Sequence, residues 1–413
     1  MLINYIKIAL KVLRRRKFFT FISLFGITFT LVVLMVSTAL LDNSFAPRAP
    51  QSRFDRVLGV HRLGMHGPSF NTHGNPGYRF VKEYVLGLPG AEATSVFTTQ
   101  SPLAIYYEGR KIDTHLRRTD GAYWRILDFD FVEGGPFTEA DNENANFVAV
   151  ITDDMRTKLF GRGSALGKTF EADGQRFRVV GVVRAVPITR QVGFSEIWAP
   201  IRTLKTRDYE QRLMGGFGGI VLAHSRDDFD ELRRAFKQRT SAFVFDDPKQ
   251  FNRLEAGLDT PFEDAARGIV GTKFKGNRTL VLRAVLAGMA LLFMLLPTMN
   301  LVSINLSRIM ERTSEIGVRK AFGASSRALV GQFVVENVVL TLIGGLIGFV
   351  LSVVVLAAIS RAQLIPYAVF DVNARIFFYG MLLAVVFGVV SGVYPAWRMS
   401  RLQAVNALRG GAV

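Results

Sequence analysis

The chain has 413 residues, 51 Lys+Arg against 34 Asp+Glu, no cysteine and a mean hydropathy of +0.24. That composition excludes collagen-like, disordered and disulfide-stapled chains, and zero Cys excludes a Cys-ligated zinc site, an iron–sulfur cluster and a thiol nucleophile. The net charge of +17 is unevenly placed: residues 42–275 hold 33 basic and 30 acidic side chains, whereas residues 1–41 carry six basic and none acidic. Basic charge gathered at the ends of apolar segments sets membrane orientation and does not make a nucleic-acid footprint.

Residues 1–17 alternate Leu2, Ile3, Ile6, Ala9, Leu10 and Leu13 with Lys7, Lys11 and Arg14, the spacing of an amphipathic helix lying on a membrane surface. Residues 18–41 follow without a charge. Arg15-Arg16-Lys17 resembles a twin-arginine export signal, but 24 apolar residues exceed a signal-peptide core, so an uncleaved anchor is expected.

Residues 42–275 read as one large mixed α/β domain. Strands are expected at Val57–Val60, Ser95–Thr99, Phe147–Thr152, Phe177–Val183 and Gly219–Ala223, and helices near Tyr78–Leu86, Asp153–Phe160 and Asp227–Thr240. Asp173-Gly174 marks a hairpin turn between Lys168–Glu171 and Gln175–Val183. The segment Gly161–Thr169 resembles a phosphate loop but carries Arg162 where that motif needs glycine, and reads as an ordinary loop. His61, His66 and His73 could ligate a metal. The intervening Gly and Pro and the lack of an interleaved carboxylate favour solvated histidines on a flexible loop. No nucleophile elbow, zinc-protease motif or tight carboxylate pair is present, so no catalytic residue is expected.

Three more spans complete the chain, at 276–307, 328–360 and 376–397, around the apolar blocks Ala284–Ser307, Asn337–Ser360 and Ile376–Trp397. At about 1.5 Å per residue each crosses a ~30 Å hydrocarbon core. The fold class is therefore a membrane protein of four transmembrane α-helices, with the α/β domain between the first and second spans. Basic flanks before residue 18, in 308–327 and in 398–413 agree on cytoplasmic termini, leaving 42–275 and the short 361–375 loop outside. Pro297 and Asn300 suggest a kinked second span, in gating or in packing. Glu336 is a costly charge at the inner edge of the third span, expected to pair with a basic residue of 308–327. Gly344-x-x-x-Gly348 and Gly388-x-x-x-Gly392 allow close helix approach.

The loop 308–327 places Glu311, Glu315 and Arg319 on one helical face, a charged surface helix that a motor could grip or, more plainly, a solvated stop-transfer loop. Its run Glu311-Arg312-Thr-Ser-Glu315-Ile316-Gly317-Val-Arg319-Lys320-Ala-Phe-Gly323 resembles the FtsX-like permease family of ABC transporters, within it the MacB-like branch. Further similar residues are Pro297 to Leu301, Gly388 to Ala396, Ala404 to Arg409, and in the outer domain Phe160 to Thr169 and Val179 to Val183. The resemblance covers essentially the whole chain except for a fused nucleotide-binding domain. It implies a bacterial inner-membrane permease subunit acting as a homo- or heterodimer, not itself an enzyme. No cofactor is expected to bind it directly; ATP and Mg would be used by a separate cytoplasmic ATPase gripping the coupling helix. The implied work is mechanotransmission to the periplasmic domain, for efflux with a periplasmic adaptor and outer-membrane channel, membrane lipids being the other partner and nucleic acid none. Lipoprotein extraction, peptide sensing and cell-wall hydrolase activation are family alternatives; a membrane-anchored receptor without an ATPase is the alternative outside it.

Overall fold

The structure is a computed structural model and describes residues 2–15, 17–271, 274, 276–311, 318, 326–370 and 372–400. It divides into two compact units. One comprises 1–42, 283–364 and 369–413; the other comprises 43–282 together with the four residues Ile365–Ala368.

The first unit is helical. Helix α1 (Leu2–Arg15) precedes α2 (Lys17–Phe45). Ala9 and Leu13 on the apolar face of α1 are buried, and Leu13 joins Ile27, Leu31 and Leu340 in one cluster. Among the described residues two helices have the length and apolar composition of a membrane span, Lys17–Phe45 and Val330–Arg361, and Ala374–Val390 is a shorter apolar run.

The second unit is α/β. After a short 3-10 turn come β1 (Val57–Val60), β2 (Leu63–His66), β3 (Asn71–Gly74), α3 (Tyr78–Tyr84), β4 (Ala91–Thr98), β5 (Ser101–Tyr107) and β6 (Arg110–Thr119). Next are α4 (Tyr123–Ile126), β7 (Phe131–Gly134), α5 (Glu139–Glu143), β8 (Val148–Thr152), α6 (Asp153–Phe160), β9 (Thr169–Ala172), β10 (Gln175–Val183) and β11 (Ile197–Pro200). Then follow β12 (Phe217–Ala223), α7 (Phe229–Ser241), β13 (Arg253–Ala256) and α8 (Pro261–Val270). Among the described residues the remaining helices are α9 (Arg278–Glu311), α10 (Ser326–Arg361) and α11 (Ala374–Ser400).

Ten strands form one sheet in the order β1-β12-β4-β6-β11-β8-β10-β7, with β5 on β6 and β9 on β10. Only β8–β10 and β6–β11 run parallel. The buried strands β8 and β12 are near-continuous apolar runs, as a sheet covered on both faces requires. One core layer gathers Phe97, Tyr123, Phe129, Phe137, Phe194 and Trp198, and others pack Met155 and Leu159 of α6 and Phe229, Leu232 and Phe236 of α7 against the sheet. Thr152 caps α6, its hydroxyl accepting the Met155 N–H at 3.1 Å. Asp173 (φ 52°) and Gly174 (φ 65°) make the turn joining β9 to β10.

One expectation is corrected here. His66 and His73 do not sit on a flexible loop: they lie on paired antiparallel strands, β2 and β3, of a separate three-stranded sheet completed by β13. No carboxylate is interleaved with them in sequence, but Glu255 of β13 lies beside them in space. That partner is 189 residues from His66 in sequence and invisible to local spacing.

Candidate functional site

Residues Ile365–Ala368 lie between the last two helices in sequence yet pack within the α/β unit. The left-handed conformation of Tyr367 (φ 60°) and the turn bond from the Ala368 N–H to the Ile365 carbonyl (3.1 Å) present the phenol. Its hydroxyl lies 2.7 Å from both Asp154 Oδ2 and Glu196 Oε1. Sheet order explains the meeting: Asp154 opens the helix after β8, Glu196 precedes β11, and β11 runs between β8 and β6. Lys158 Nζ sits 2.6 Å from Asp154 Oδ2 and 3.6 Å from Glu196 Oε1, so an ammonium offsets the repulsion of the two carboxylates. The other oxygen of Glu196 accepts the His115 backbone N–H at 3.1 Å. Burial, reinforced by the two carboxylates, pushes the Tyr367 phenol above its ordinary pKa, so it stays a proton donor. With one proton it donates to one carboxylate at a time.

Three consecutive residues, Ile188 to Arg190, connect this insert to the segment entering the unit after α2. The Ile188 N–H reaches the Pro366 carbonyl at 3.4 Å, and the Thr189 hydroxyl donates to Asn43 Oδ1 at 2.5 Å. Arg190 donates to the Ala46 and Arg48 carbonyls (3.1 and 3.2 Å) and to Gln51 Oε1 (3.3 Å). Two of the unit's chain connections therefore meet at one loop.

Beside it lies a cleft of about 570 Å³ lined by His61, Phe97, Gln100, Arg117, Gln191 and Asp264 among others. Arg117 is buried, stacked 4.9 Å from the Phe97 ring centroid, and donates to the Val192 and Gln191 carbonyls and to Gln100 Oε1 at 2.7–2.8 Å. Burial lowers its pKa, with Tyr123 opposing. The side chain's three hydrogen bonds all go to neutral oxygens, and the cation shapes the cleft wall.

The helical unit places the other expected residues. A Cβ on Gly344 would meet Ile27 Cβ at 3.1 Å, and one on Gly348 would meet Leu31 Cβ at 3.2 Å and the Thr28 carbonyl at 3.4 Å. These glycines thus form the seam of α10 with α2, closed by the Thr28 hydroxyl donating to the Gly344 carbonyl at 2.9 Å. Gly388 of α11 faces Thr341, 2.6 Å from where its Cβ would stand. Glu336 is buried on α10. Pro297 and Asn300 lie within α9, Gly392 within α11, and Glu311 ends α9. Arg312, Glu315, Ile316, Gly317, Arg319, Lys320 and Gly323 lie outside the described residues, and with them the coupling helix and the expected loop partner of Glu336. Sequence reasoning missed Tyr367 and Ile188–Arg190; an aromatic beside Pro366 in a short loop was the only local signal.

A family model described as the MacB-like periplasmic core domain matches residues 20–239, and one described as the FtsX-like permease C-terminal matches residues 287–404. The uncharacterized ABC transporter permease YknZ of Bacillus subtilis is 26% identical over 80% of this chain and 79% of its own length. The macrolide export ATP-binding/permease protein MacB of Bdellovibrio bacteriovorus is 27% identical over 80% of this chain and 48% of its own. The pyoverdine export ATP-binding/permease protein PvdT of Pseudomonas syringae pv. syringae is 27% identical over 98% of this chain and 59% of its own.

Proposed function

Since the chain belongs to the MacB-like, FtsX-like family of ABC transporter permeases, membrane proteins with a large periplasmic α/β domain, we propose that it transmits force from a cytoplasmic ATPase to that domain. In this reading α2, α9, α10 and α11 all cross the bacterial inner membrane, the termini are cytoplasmic, and two permease subunits act together. The ATPase grips residues 311–323 from a separate chain. Support for a separate chain comes from YknZ, whose name carries permease alone, whereas MacB and PvdT are named as ATP-binding and permease together. The domain then moves a periplasmic substrate toward an adaptor and an outer-membrane channel.

The observation that carries this reading is the order of the two family matches on one chain, core domain first and permease C-terminal second. The reading is supported by Tyr367 and the Ile188–Arg190 loop, which tie two chain connections to the same corner of the sheet. The mechanical logic needs no bond making in this chain. A helix displaced at its cytoplasmic end pulls on residues 43–51 or 365–368, and the α6–β11 corner follows.

Affinity purification of the full chain from native membranes, followed by mass spectrometry, tests it. A P-loop ATPase is expected with the intact chain and is expected to be lost with Glu315→Lys/Arg319→Glu. Recovery of periplasmic proteins alone would overturn the coupling reading in favour of an anchored receptor.

A further inference from the structure

The three-stranded sheet has a gap at its centre. Register pairs Gly64 of β2 with His73 on one side and Glu255 on the other. Strand alternation places His66, two residues along β2, on the same face. Gly64 adds no side chain there: a Cβ would stand 2.8 Å from His73 Nδ1 and 3.3 Å from Glu255 Cβ, so the imidazole lies across the glycine. The ligand atoms of His66, His73 and Glu255 all fall within 4.8 Å of one another, and the two rings meet edge-on at 5.0 Å between centroids.

One tautomer of His66 leaves room for a cation in this gap. Nδ1 faces Asn71 Oδ1 at 3.2 Å and Nε2 faces Glu255 Oε2 at 3.0 Å, yet a neutral imidazole carries one N–H. With Nδ1–H donating to Asn71, the Nε2 lone pair points at a carboxylate. A proton or a metal ion between them relieves that contact. His73 favours the metal, because a proton shared by His66 and Glu255 has no use for a second imidazole. The far oxygen of Glu255 is held by Arg267 and Arg278, each at 3.4 Å, which orients Oε2 toward the gap in the manner of a metal site's supporting shell. Their positive charge opposes a dication and moderates its affinity.

We propose that His66, His73 and Glu255 bind one divalent ion of borderline softness, zinc being the type case, with water in the fourth position. Two imidazoles and one carboxylate suit zinc, cobalt, nickel or copper and discriminate against calcium and magnesium, which take oxygen ligands. The ion would clip β13 to the β2–β3 hairpin, joining strands 189 residues apart in sequence. It would also compete with Arg278, the first residue of α9, for the charge of Glu255.

The test is a zinc chloride titration of the full chain, purified in detergent without a polyhistidine tag and stripped with EDTA. One zinc per chain is expected by calorimetry, with cobalt giving the visible absorption of a four-coordinate site. His73→Ala should weaken binding more than about 100-fold and Asn71→Leu about tenfold. His73 is exposed, so the zinc-free melting temperature of His73→Ala should match wild type. Undiminished zinc binding in His73→Ala would place any ion elsewhere and overturn the proposal. Absence of binding to wild type would also overturn it, leaving His66 and Glu255 as a proton-bridged pair.

Discussion

The two units use polar side chains in opposite ways. In the helical unit several described hydroxyls turn back on their own helix: Thr30 to Gly26, Thr38 to Leu34, Ser352 to Gly348, Ser360 to Leu356. The specific contact of α2 with α10 is made instead by two glycines and one hydrogen bond. In the α/β unit polar groups reach far along the chain: Arg118 to Asp173 and Gln175, Asp120 to Ser95 and Val96, Tyr367 to Asp154 and Glu196. Lipid is as apolar as a leucine surface, so helices gain little by hiding from it and depend on fit. Strands facing water gain from burial, and their polar networks then select one arrangement.

The largest effect should come from the buried network. Asp120 accepts the Ser95 hydroxyl (2.6 Å), the Val96 N–H (3.0 Å) and the Tyr123 N–H (3.0 Å). Asp120→Ala strands these donors and should cost about 3 kcal/mol in chemical denaturation of the full chain. A loss below about 1 kcal/mol would mean that water or relaxation satisfies them. Burial pushes this carboxyl up to about 7 despite those hydrogen bonds. The folded state therefore keeps a proton that an unfolded Asp releases near pH 4. Its contribution favours folding most at low pH and declines as pH rises from about 4 to 7. Asp120→Asn has no proton to lose, so the stability difference between wild type and variant should drift against wild type over that window; a constant difference would sink the assignment.

The seam of the helical unit comes next. Gly348→Leu must push Leu31 and the Thr28 backbone aside, and should cost about 2 kcal/mol, read by SDS titration of the folded protein. Tyr367→Phe keeps the ring and removes the hydroxyl shared by two carboxylates. About 1–2 kcal/mol of stability should go, with faster hydrogen exchange at Ile188 and the 113–117 segment. Unchanged exchange there would show that the ring alone holds the insert. Thr28→Val, which removes one interhelical hydrogen bond at nearly constant shape, should cost only about 0.6 kcal/mol. If that last change exceeded the glycine substitution, the contrast between fit and polar pairing would be reversed.

Local pattern carried much of this architecture and none of its long-range closure. Val57–Val60 and the α6 helix from Asp153 to Phe160 lie where periodicity and capping put them, and the Asp173-Gly174 turn has the positive φ pair its residues imply. Strands β2, β3 and β13 escaped because LGMH, NTHG and RLEA are only four residues each, two of them glycine-bearing, and become strands only by pairing with each other. The spacing of Gly344 and Gly348 suggested a close approach, but the partner, the Ile27–Leu31 face of α2, lies more than 300 residues away. Tyr367 was hidden for the same reason, since Asp154 and Glu196 are 213 and 171 residues from it.

The four residues 365–368 have a thermodynamic consequence. They are a ligand tethered by the chain to the domain they complete, so they meet their site at an effective concentration that no free peptide matches. A fragment covering 43–282 would carry an empty receptor site with Asp154, Lys158 and Glu196 facing water, and a free peptide spanning the Pro366-Tyr367 turn would have to bind in trans to refill it.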